Sequence, residues 1–259
     1  MKYYIADAFA EEAFSGNPAG VCILESPLPA DTMQRIASEN NLAETAFLVP
    51  REDGGYGLRW FTPVTEIDLC GHATLASAFV LHEVLGTGKN VYRFHSMSGL
   101  LEVTPKDGLY EMDFPAWPLR RIEVTEQMRR ALGCDILEAH LARDLILLLE
   151  DEAAVQNLRP DLNAVAALPG AFGVAVTAQG QSADFVSRYF APGEGIPEDH
   201  VTGSLHSMLI PFWAARLGRD TLTARQLSPR GGTLYCKNCG VRVKMAGRAR
   251  LYLQGEIFI

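Results

Sequence analysis

The sequence predicts an α+β protein built of two similar halves, and three observations carry that expectation. A short pattern recurs about half a chain apart, Arg59-Trp60-Phe61-Thr62-Pro63 against Arg188-Tyr189-Phe190-Ala191-Pro192, and each copy reads as the end of a strand. Each copy is followed by a polar stretch, a glycine-bearing turn and an apolar, helix-like segment. Downstream of each helix the pattern changes to alternating strands with turns. The 259 residues, 48% hydrophobic and 21% charged, suffice for a buried core without disulfide or metal support and exclude a disordered chain.

Taken in order, Asp31 to Asn40 reads as a short helix with Asp31 as its N-cap. The run Asn41-Leu42-Ala43-Glu44-Thr45-Ala46-Phe47-Leu48-Val49 then places Glu44 at the head of an apolar strand. The first copy of the repeat leads through Thr65 to Leu81, where Ala73, Ala76, Ser77 and Ala78 let a helix be enclosed closely on several sides. A helix apolar nearly all round is a buried helix. Strands at 99–103 and 109–114 flank the turn Lys106-Asp107-Gly108. Pro115 to Pro118 reads as a crossing, giving an N-terminal half of 1–115 and a C-terminal half of 116–259, with the last strand able to return to the first half. In the second half Thr125 to Leu132 is a helix, Pro197 to Ile210 repeats the turn and helix, and strands follow at 232–235 and 240–245.

Twenty-three basic residues against 31 acidic ones give a formal charge of −8, which repels nucleic acid and anionic lipid. The expected partner is a small molecule or a second copy. No apolar run approaches the roughly 18 to 20 residues of a membrane span. The start MKYYIADAFAEEAF lacks the basic region and apolar core of a signal peptide, so a cytoplasmic location is expected. Cys22, Cys70, Cys134, Cys236 and Cys239 are odd in number and mostly scattered, which suits reduced thiols.

Free N–H groups and the dipole at a helix start favour a carboxylate or phosphate, and Gly71 and Gly203 let a ligand approach the main chain. Two such starts related by a pseudo-twofold would aim at a shared cleft, so the repeat predicts an anion site. Glycines kept for packing alone are the competing reading. Candidates for acid and base work are Glu44, Glu66, Asp68, His72, Glu198, Asp199, His200 and His206. Glu44 stands apart, because desolvation at the head of an apolar strand raises a carboxyl toward the useful range of a general acid/base. A strand-edge glutamate facing water or an arginine is the plain alternative.

His72 and Ser204 occupy equivalent places after Gly71 and Gly203, from which each can hydrogen-bond a bound anion. Cys70 and Thr202 are equivalent as well. Two-base racemases commonly use a pair of thiols, and a threonine hydroxyl has no useful acidity near neutral pH, so a dithiol mechanism is disfavoured. Cys70 alone is either a nucleophile near a helix N-terminus or a small packing residue. Cys236-Lys237-Asn238-Cys239 lacks the second pair of ligands that structural zinc needs, and no metal is expected. Arg230, in the turn Ser228-Pro229-Arg230-Gly231-Gly232, either reaches a carboxylate or stays solvated. No GxGxxG with a following acid, GxxxxGK[ST] or GxSxG occurs, which leaves nucleotide, P-loop and serine-hydrolase readings without support.

Several motifs appear in a fixed order: Asp7-Ala8-Phe9 with Phe14-Ser15-Gly16-Asn17-Pro18-Ala19-Gly20, Leu42-Ala43-Glu44-Thr45-Ala46-Phe47, Arg59-Trp60-Phe61-Thr62-Pro63, Leu69-Cys70-Gly71-His72-Ala73-Thr74, Glu198-Asp199-His200-Val201-Thr202-Gly203-Ser204, and Ser228-Pro229-Arg230-Gly231-Gly232. In this order they resemble the PhzF family, phenazine-biosynthesis isomerase-like proteins that share the diaminopimelate epimerase fold. The resemblance covers nearly the whole chain. It implies two halves, each a barrel-like sheet around a central helix, with a cleft between them, a homodimer and no cofactor. It also implies an isomerase that moves a proton on a dihydro-3-hydroxyanthranilate. The acid/base glutamate of that chemistry falls on Glu44, the supporting polar residues on His72, Asp199 and Ser204, and the backbone donors to the substrate carboxylate on Gly71 and Gly203. Two departures stand out. His200 occupies a place where the family usually has proline, and Thr202 replaces the second cysteine of the epimerases while Cys70 keeps the first. A one-thiol epimerase using Cys70 with Glu44 or Asp199 opposite, and a binding module that keeps the fold without the chemistry, are the alternatives.

Overall fold

Short apolar runs bounded by Gly, Pro and Asn form strands, and the two glycine-started apolar segments form helices enclosed by strands. The computed structural model describes residues 1–259. In chain order it begins with Lys2–Ala8 (β1), Asn17–Ile23 (β2), Ala30–Asn40 (α1), Glu44–Pro50 (β3), Tyr56–Phe61 (β4) and the short Glu66–Ile67 (β5). Gly71–Phe79 (α2), Tyr92–Ser96 (β6), Gly99–Lys106 (β7) and Leu109–Pro115 (β8) follow. Next come Arg120–Ile122 (β9), Glu126–Leu132 (α3), Glu138–Leu141 (β10), Leu145–Leu148 (β11), Glu152–Asn157 (α4) and Leu162–Ala166 (α5). Val174–Gln179 (β12), Phe185–Ala191 (β13), Ile196–Asp199 (β14) and Gly203–Leu217 (α6) lead to the last strands, Thr221–Gln226 (β15), Gly232–Asn238 (β16), Arg242–Gly247 (β17) and Ala249–Glu256 (β18). No helix is long and apolar enough to cross a membrane.

The chain divides into two units. The first holds Met1–Asp113 with Ala246–Ile259, and the second holds Phe114–Met245. In the first unit the strands run in the order β18, β1, β2, β3, β4, β6, β7. In the second the order is β9, β10, β11, β12, β13, β15, β16. Both orders go through the same steps: two antiparallel pairings, a parallel one, an antiparallel one, a parallel one, and an antiparallel one. A one-residue slip would turn every buried side chain outward, so this agreement records a duplicated register as well as a duplicated pattern. The first place in each order is filled by the strand that follows the chain's entry into that unit, β9 in one and β18 in the other.

Each unit encloses one helix. In α2 every residue from His72 to Ala78 is buried, and the helix packs against β1, β2, β3, β7 and β18. Its small side chains permit that approach. The buried hydroxyls of Thr74 and Ser77 donate to the carbonyls of Cys70 and Ala73, 2.5 and 2.7 Å away, so the helix satisfies its own polar groups. In the second unit α6 packs on β15 and β16. There Trp213 stacks on Phe185, with ring centroids 5.8 Å apart, and donates Nε1–H to Thr177 Oγ1 at 2.9 Å.

Satellite helices close the outer faces. The apolar side of α1, Met33 and Ile36, covers Phe47, Phe61 and Cys22. Asp31 does not cap this helix: Pro29 holds the N-cap position at φ −56°, ψ 143°, and Asp31 lies in the first turn. The fixed φ of proline suits that boundary, and Asp31 acts there only on the helix dipole. α3 starts on Thr125, whose Oγ1 accepts from Met128 N at 3.3 Å. It seals a cluster that includes Leu132, Val155, Val165, Val176 and Phe190.

The recurring arginine does the same task in both units. Arg59, on β4, donates Nε–H and Nη2–H to the two oxygens of Glu66 on β5, at 2.6 and 2.7 Å. Arg188, on β13, donates to Glu198 on β14 at 2.7 and 2.9 Å. The settings differ. The Arg59 and Glu66 side chains are 39% and 23% exposed, whereas those of Arg188 and Glu198 are 7% and 17% exposed, and Arg188 Nη1 also donates to the carbonyls of Val155 and Leu158. Removing one member of a buried pair strands the other charge, at about 3 to 5 kcal/mol, while an exposed pair contributes about 1 kcal/mol or less. Arg188→Met is therefore expected to destabilise the protein by about 3 kcal/mol or more and Arg59→Met by about 1 kcal/mol or less, measured by urea unfolding of each variant.

Candidate active site

The start of β3 and the start of α2 bring Glu44 and His72 together in the first unit. β3 runs parallel to β2 with Glu44 opposite Ala19, so its first residue lies beside the first turn of the enclosed helix. His72 is in that turn. Glu44 is 8% exposed, His72 4% and Cys70 6%. Glu44 Oε2 lies 3.0 Å from His72 Nε2, within ion-pair distance, although neither atom has a well-directed hydrogen bond. On the other edge of the ring, Cys70 Sγ lies 3.5 Å from Nδ1 and the Asn17 amide nitrogen 3.3 Å from it.

These neighbours set the charge on the ring. Burial alone lowers the His72 pKa, but the Cys70 sulfur and the Glu44 carboxylate outweigh it, and the imidazole is held well above its ordinary value of 6.5. The shift favours the imidazolium form. Cys70 moves in the sense that keeps it a thiol: burial first, then the Glu44 charge, raise its pKa, against smaller opposing effects of His72 and the Ala73 N–H. Cys70 is the N-cap residue of α2, in extended conformation, and its side chain does not cap the helix.

Asn17, in the segment Phe14 to Gly20, takes a place that its sequence pattern does not assign to it. It is fully buried at the start of β2. A side-chain amide can turn its oxygen to an N–H or its nitrogen to a bare ring nitrogen, so Asn17 can serve either form of His72. The loop before it is under strain. Phe9, buried, has φ +59°, and Gly16 has φ +72°, where an added Cβ would meet the Ala8 carbonyl oxygen at 2.2 Å. The buried Phe9 is held in that sparsely populated region by its packing, and this loop leads into Asn17 beside the imidazole.

In the second unit the equivalent helix start carries a hydrogen-bonded polar network. Thr202, the N-cap of α6, donates Oγ1–H to Asp199 Oδ2 at 2.6 Å. Gln226, fully buried at the end of β15, joins the segment: its Oε1 accepts from Thr202 N at 2.9 Å, and its Nε2 donates to the Asp199 carbonyl at 2.8 Å and lies 3.1 Å from Thr202 Oγ1. No sequence signal singles out one glutamine at a strand end. Gly203 is buried and Ser204 half-buried in the first turn of α6. Ser228 Oγ donates to the His200 carbonyl at 2.8 Å and accepts from Gly231 N at 3.0 Å, which ties the Arg230 turn to the same segment.

Other candidates have different work. Glu66 and Glu198 hold the repeated arginines. Asp68 is exposed. His206 is fully buried in α6 with Nδ1 2.8 Å from the Thr202 carbonyl, an arrangement that suits a neutral ring donating Nδ1–H. Burial pushes its pKa down to about 4, with a smaller opposing effect of the Thr202 carbonyl. Cys236 is buried, Cys239 exposed, and both are free thiols.

Two expectations follow. Because the folded pKa of His206 lies below its ordinary 6.5, its contribution to stability is complete above about pH 6.5 and is lost as pH falls toward 4, by up to about 3 kcal/mol. His206→Gln is expected to flatten that part of a stability-versus-pH curve measured by urea unfolding. Gln226→Leu leaves the Thr202 N–H and the Asp199 carbonyl without their partner and is expected to cost about 2 to 5 kcal/mol, with the loss of protection concentrated around Thr202 in hydrogen exchange.

A family model described as phenazine biosynthesis-like protein, PhzC-PhzF, matches residues 6–255. A Pseudomonas aeruginosa protein named as an uncharacterized isomerase is 48% identical over 258 residues, covering 99% of this chain and 98% of its own. The crystal structure of a phenazine biosynthesis protein of the PhzF family from Enterococcus faecalis matches with a TM-score of 0.97 at 52% identity, covering 100% of this chain and 99% of that one. A probable proline racemase from Agrobacterium radiobacter shares the fold alone, with a TM-score of 0.66 at 12% identity over 100% of this chain and 93% of that one.

Proposed function

Because the chain belongs to the phenazine biosynthesis-like PhzC-PhzF family, we propose that it is a cofactor-independent isomerase with Glu44 as its acid and base. Its substrate in this reading is a small carboxylate of the dihydro-3-hydroxyanthranilate class. The observation that carries the reading is the buried Glu44 with Oε2 3.0 Å from the His72 imidazole. A carboxylate removed from water is tolerated where a positive partner balances it, and His72, whose charged form is favoured, is that partner.

In the proposed reaction Glu44 takes a proton from carbon, the electron pair left behind spreads into the unsaturated carboxylate system, and Glu44 returns the proton to another carbon. The negative charge that develops is stabilised by the Gly71 N–H and the α2 dipole. In the same reading His72, Asp199 and Ser204 orient the substrate and help pass the proton, Gly203 is assigned to holding substrate, and a homodimer and a cytoplasmic location are expected. The one-thiol epimerase gains no support, since burial and the Glu44 charge keep Cys70 protonated and the equivalent Thr202 hydroxyl is committed to Asp199.

The test is solvent exchange in D2O with a panel of cyclic dihydro-hydroxy acids and amino acids, read by NMR and mass spectrometry. Glu44→Gln keeps the shape and is expected to lower exchange by about 10²- to 10⁴-fold, whereas Cys70→Ala changes it little. Exchange that survives Glu44→Gln would sink the proposal, and a large loss in Cys70→Ala would move the chemistry to the thiol.

A further inference from the structure

Glu44, Cys70 and His72 form a group with a second chemical capacity. Each offers one metal-ligating atom, and the three atoms lie within 4.8 Å of one another, all on buried residues. Glu44 Oε2 and His72 Nε2 have no well-directed hydrogen bond, the side chain of His72 is 5% exposed and that of Glu44 11%, and the Cys70 sulfur lies against the same ring, 3.5 Å from Nδ1. A carboxylate, an imidazole and a thiol are donor types of a zinc site, and here the carboxylate lies against Nε2 and the thiol against Nδ1 of the one ring. Ligand atoms about 2.0 to 2.3 Å from a tetrahedral ion lie about 3.5 Å from one another, so closing on an ion needs the His72 ring to turn one nitrogen toward both partners and the side chains to shift by about an ångström. We propose that this group captures a borderline divalent transition metal, zinc first, with Glu44, Cys70 and His72 as three ligands and the fourth position open.

The donor set selects the ion. One sulfur and one imidazole disfavour magnesium and calcium, which take oxygen ligands in greater number, and favour zinc and the later first-row metals. Binding converts the Cys70 thiol to a thiolate and leaves the bound imidazole nitrogen without its proton, so the thiol and imidazolium protons pass to solvent as the metal–sulfur and metal–nitrogen bonds form. Capture does not depend on the proposed isomerase chemistry. Its consequence does rest on that reading: a metal on Glu44 occupies the lone pair that takes the substrate proton, and zinc then acts as an inhibitor of the site.

Cobalt(II) titration of the full chain, reduced and free of chelator, tests capture without any substrate. A thiolate-to-cobalt absorption band in the near ultraviolet is expected at about one metal per chain, displaced by zinc. Cys70→Ser is expected to abolish the band. Glu44→Gln, which keeps both nitrogen and sulfur, is expected to weaken binding at least about tenfold. Cys239→Ser, which alters the exposed cysteine of the Cys-x-x-Cys pair, should leave the band unchanged, and circular dichroism confirms that each variant is folded. Absence of the band in the unaltered chain, its persistence in Cys70→Ser or its loss in Cys239→Ser overturns the inference. None of those outcomes touches the acid/base reading, which rests on the exchange measured for Glu44→Gln.

Discussion

Enclosing a helix by strands on several sides is the constraint on which the first unit depends. A helix in that position presents no face to water, so its side chains must be small or apolar and its polar groups must be satisfied internally. Ala73, Ala76, Ser77 and Ala78 meet the first demand, and the back-bonded hydroxyls of Thr74 and Ser77 meet the second. Only the first turn escapes both, because a helix start leaves N–H groups that its own backbone cannot use. Cys70, Gly71 and His72 occupy that turn, and polar chemistry in the enclosed helix concentrates there.

Burial then makes the contact between Glu44 and His72 consequential. In water an imidazole and a carboxylate at 3.0 Å are weakly coupled; removed from water, the carboxylate acts strongly on the charge of the ring. The charged form of the imidazole is favoured, and Cys70, beside the same ring, is pushed toward the thiol by burial and then by the negative Glu44. Three titratable groups within a few ångströms therefore settle into different roles through local electrostatics. The strained turn at Phe9 and the steric demand at Gly16 add Asn17 to this arrangement.

The second unit shows how a duplicated scaffold separates form from chemistry. It keeps the order of parallel and antiparallel strands, the arginine that joins β13 to β14 and the glycine at the start of α6. Where the first unit has Cys70 and His72 it carries Thr202 and Ser204, and Gln226 at the end of β15 ties the segment down through hydrogen bonds to Thr202 N and the Asp199 carbonyl. Its buried histidine, His206, is held uncharged by the same desolvation that the Glu44 charge overcomes at His72. The arginines make the point in reverse: the same bidentate geometry lies half in water at Arg59 and almost wholly out of it at Arg188.

Period and punctuation are local properties, and they were legible in the chain. The α+β class, the repeat around Arg59 and Arg188, the strand that starts at Glu44 and the enclosed helix after Gly71 all follow from side-chain size and spacing over a few residues. The N-cap of α1 was misread because an aspartate and a proline compete for that boundary and backbone geometry, not side-chain preference, decided it. Asn17 carried a faint signal in its glycine-rich loop, and Gln226 carried none, since a hydrogen bond across strands leaves no mark in local sequence. By itself, the sequence determined which elements form and which residues are able to do chemistry. Only the tertiary structure decided that Glu44 meets His72, that Cys70 stays protonated and that Glu66 and Glu198 belong to arginines, because charge and proton affinity depend on neighbours and on water, and both are set by the packing of segments far apart in the chain.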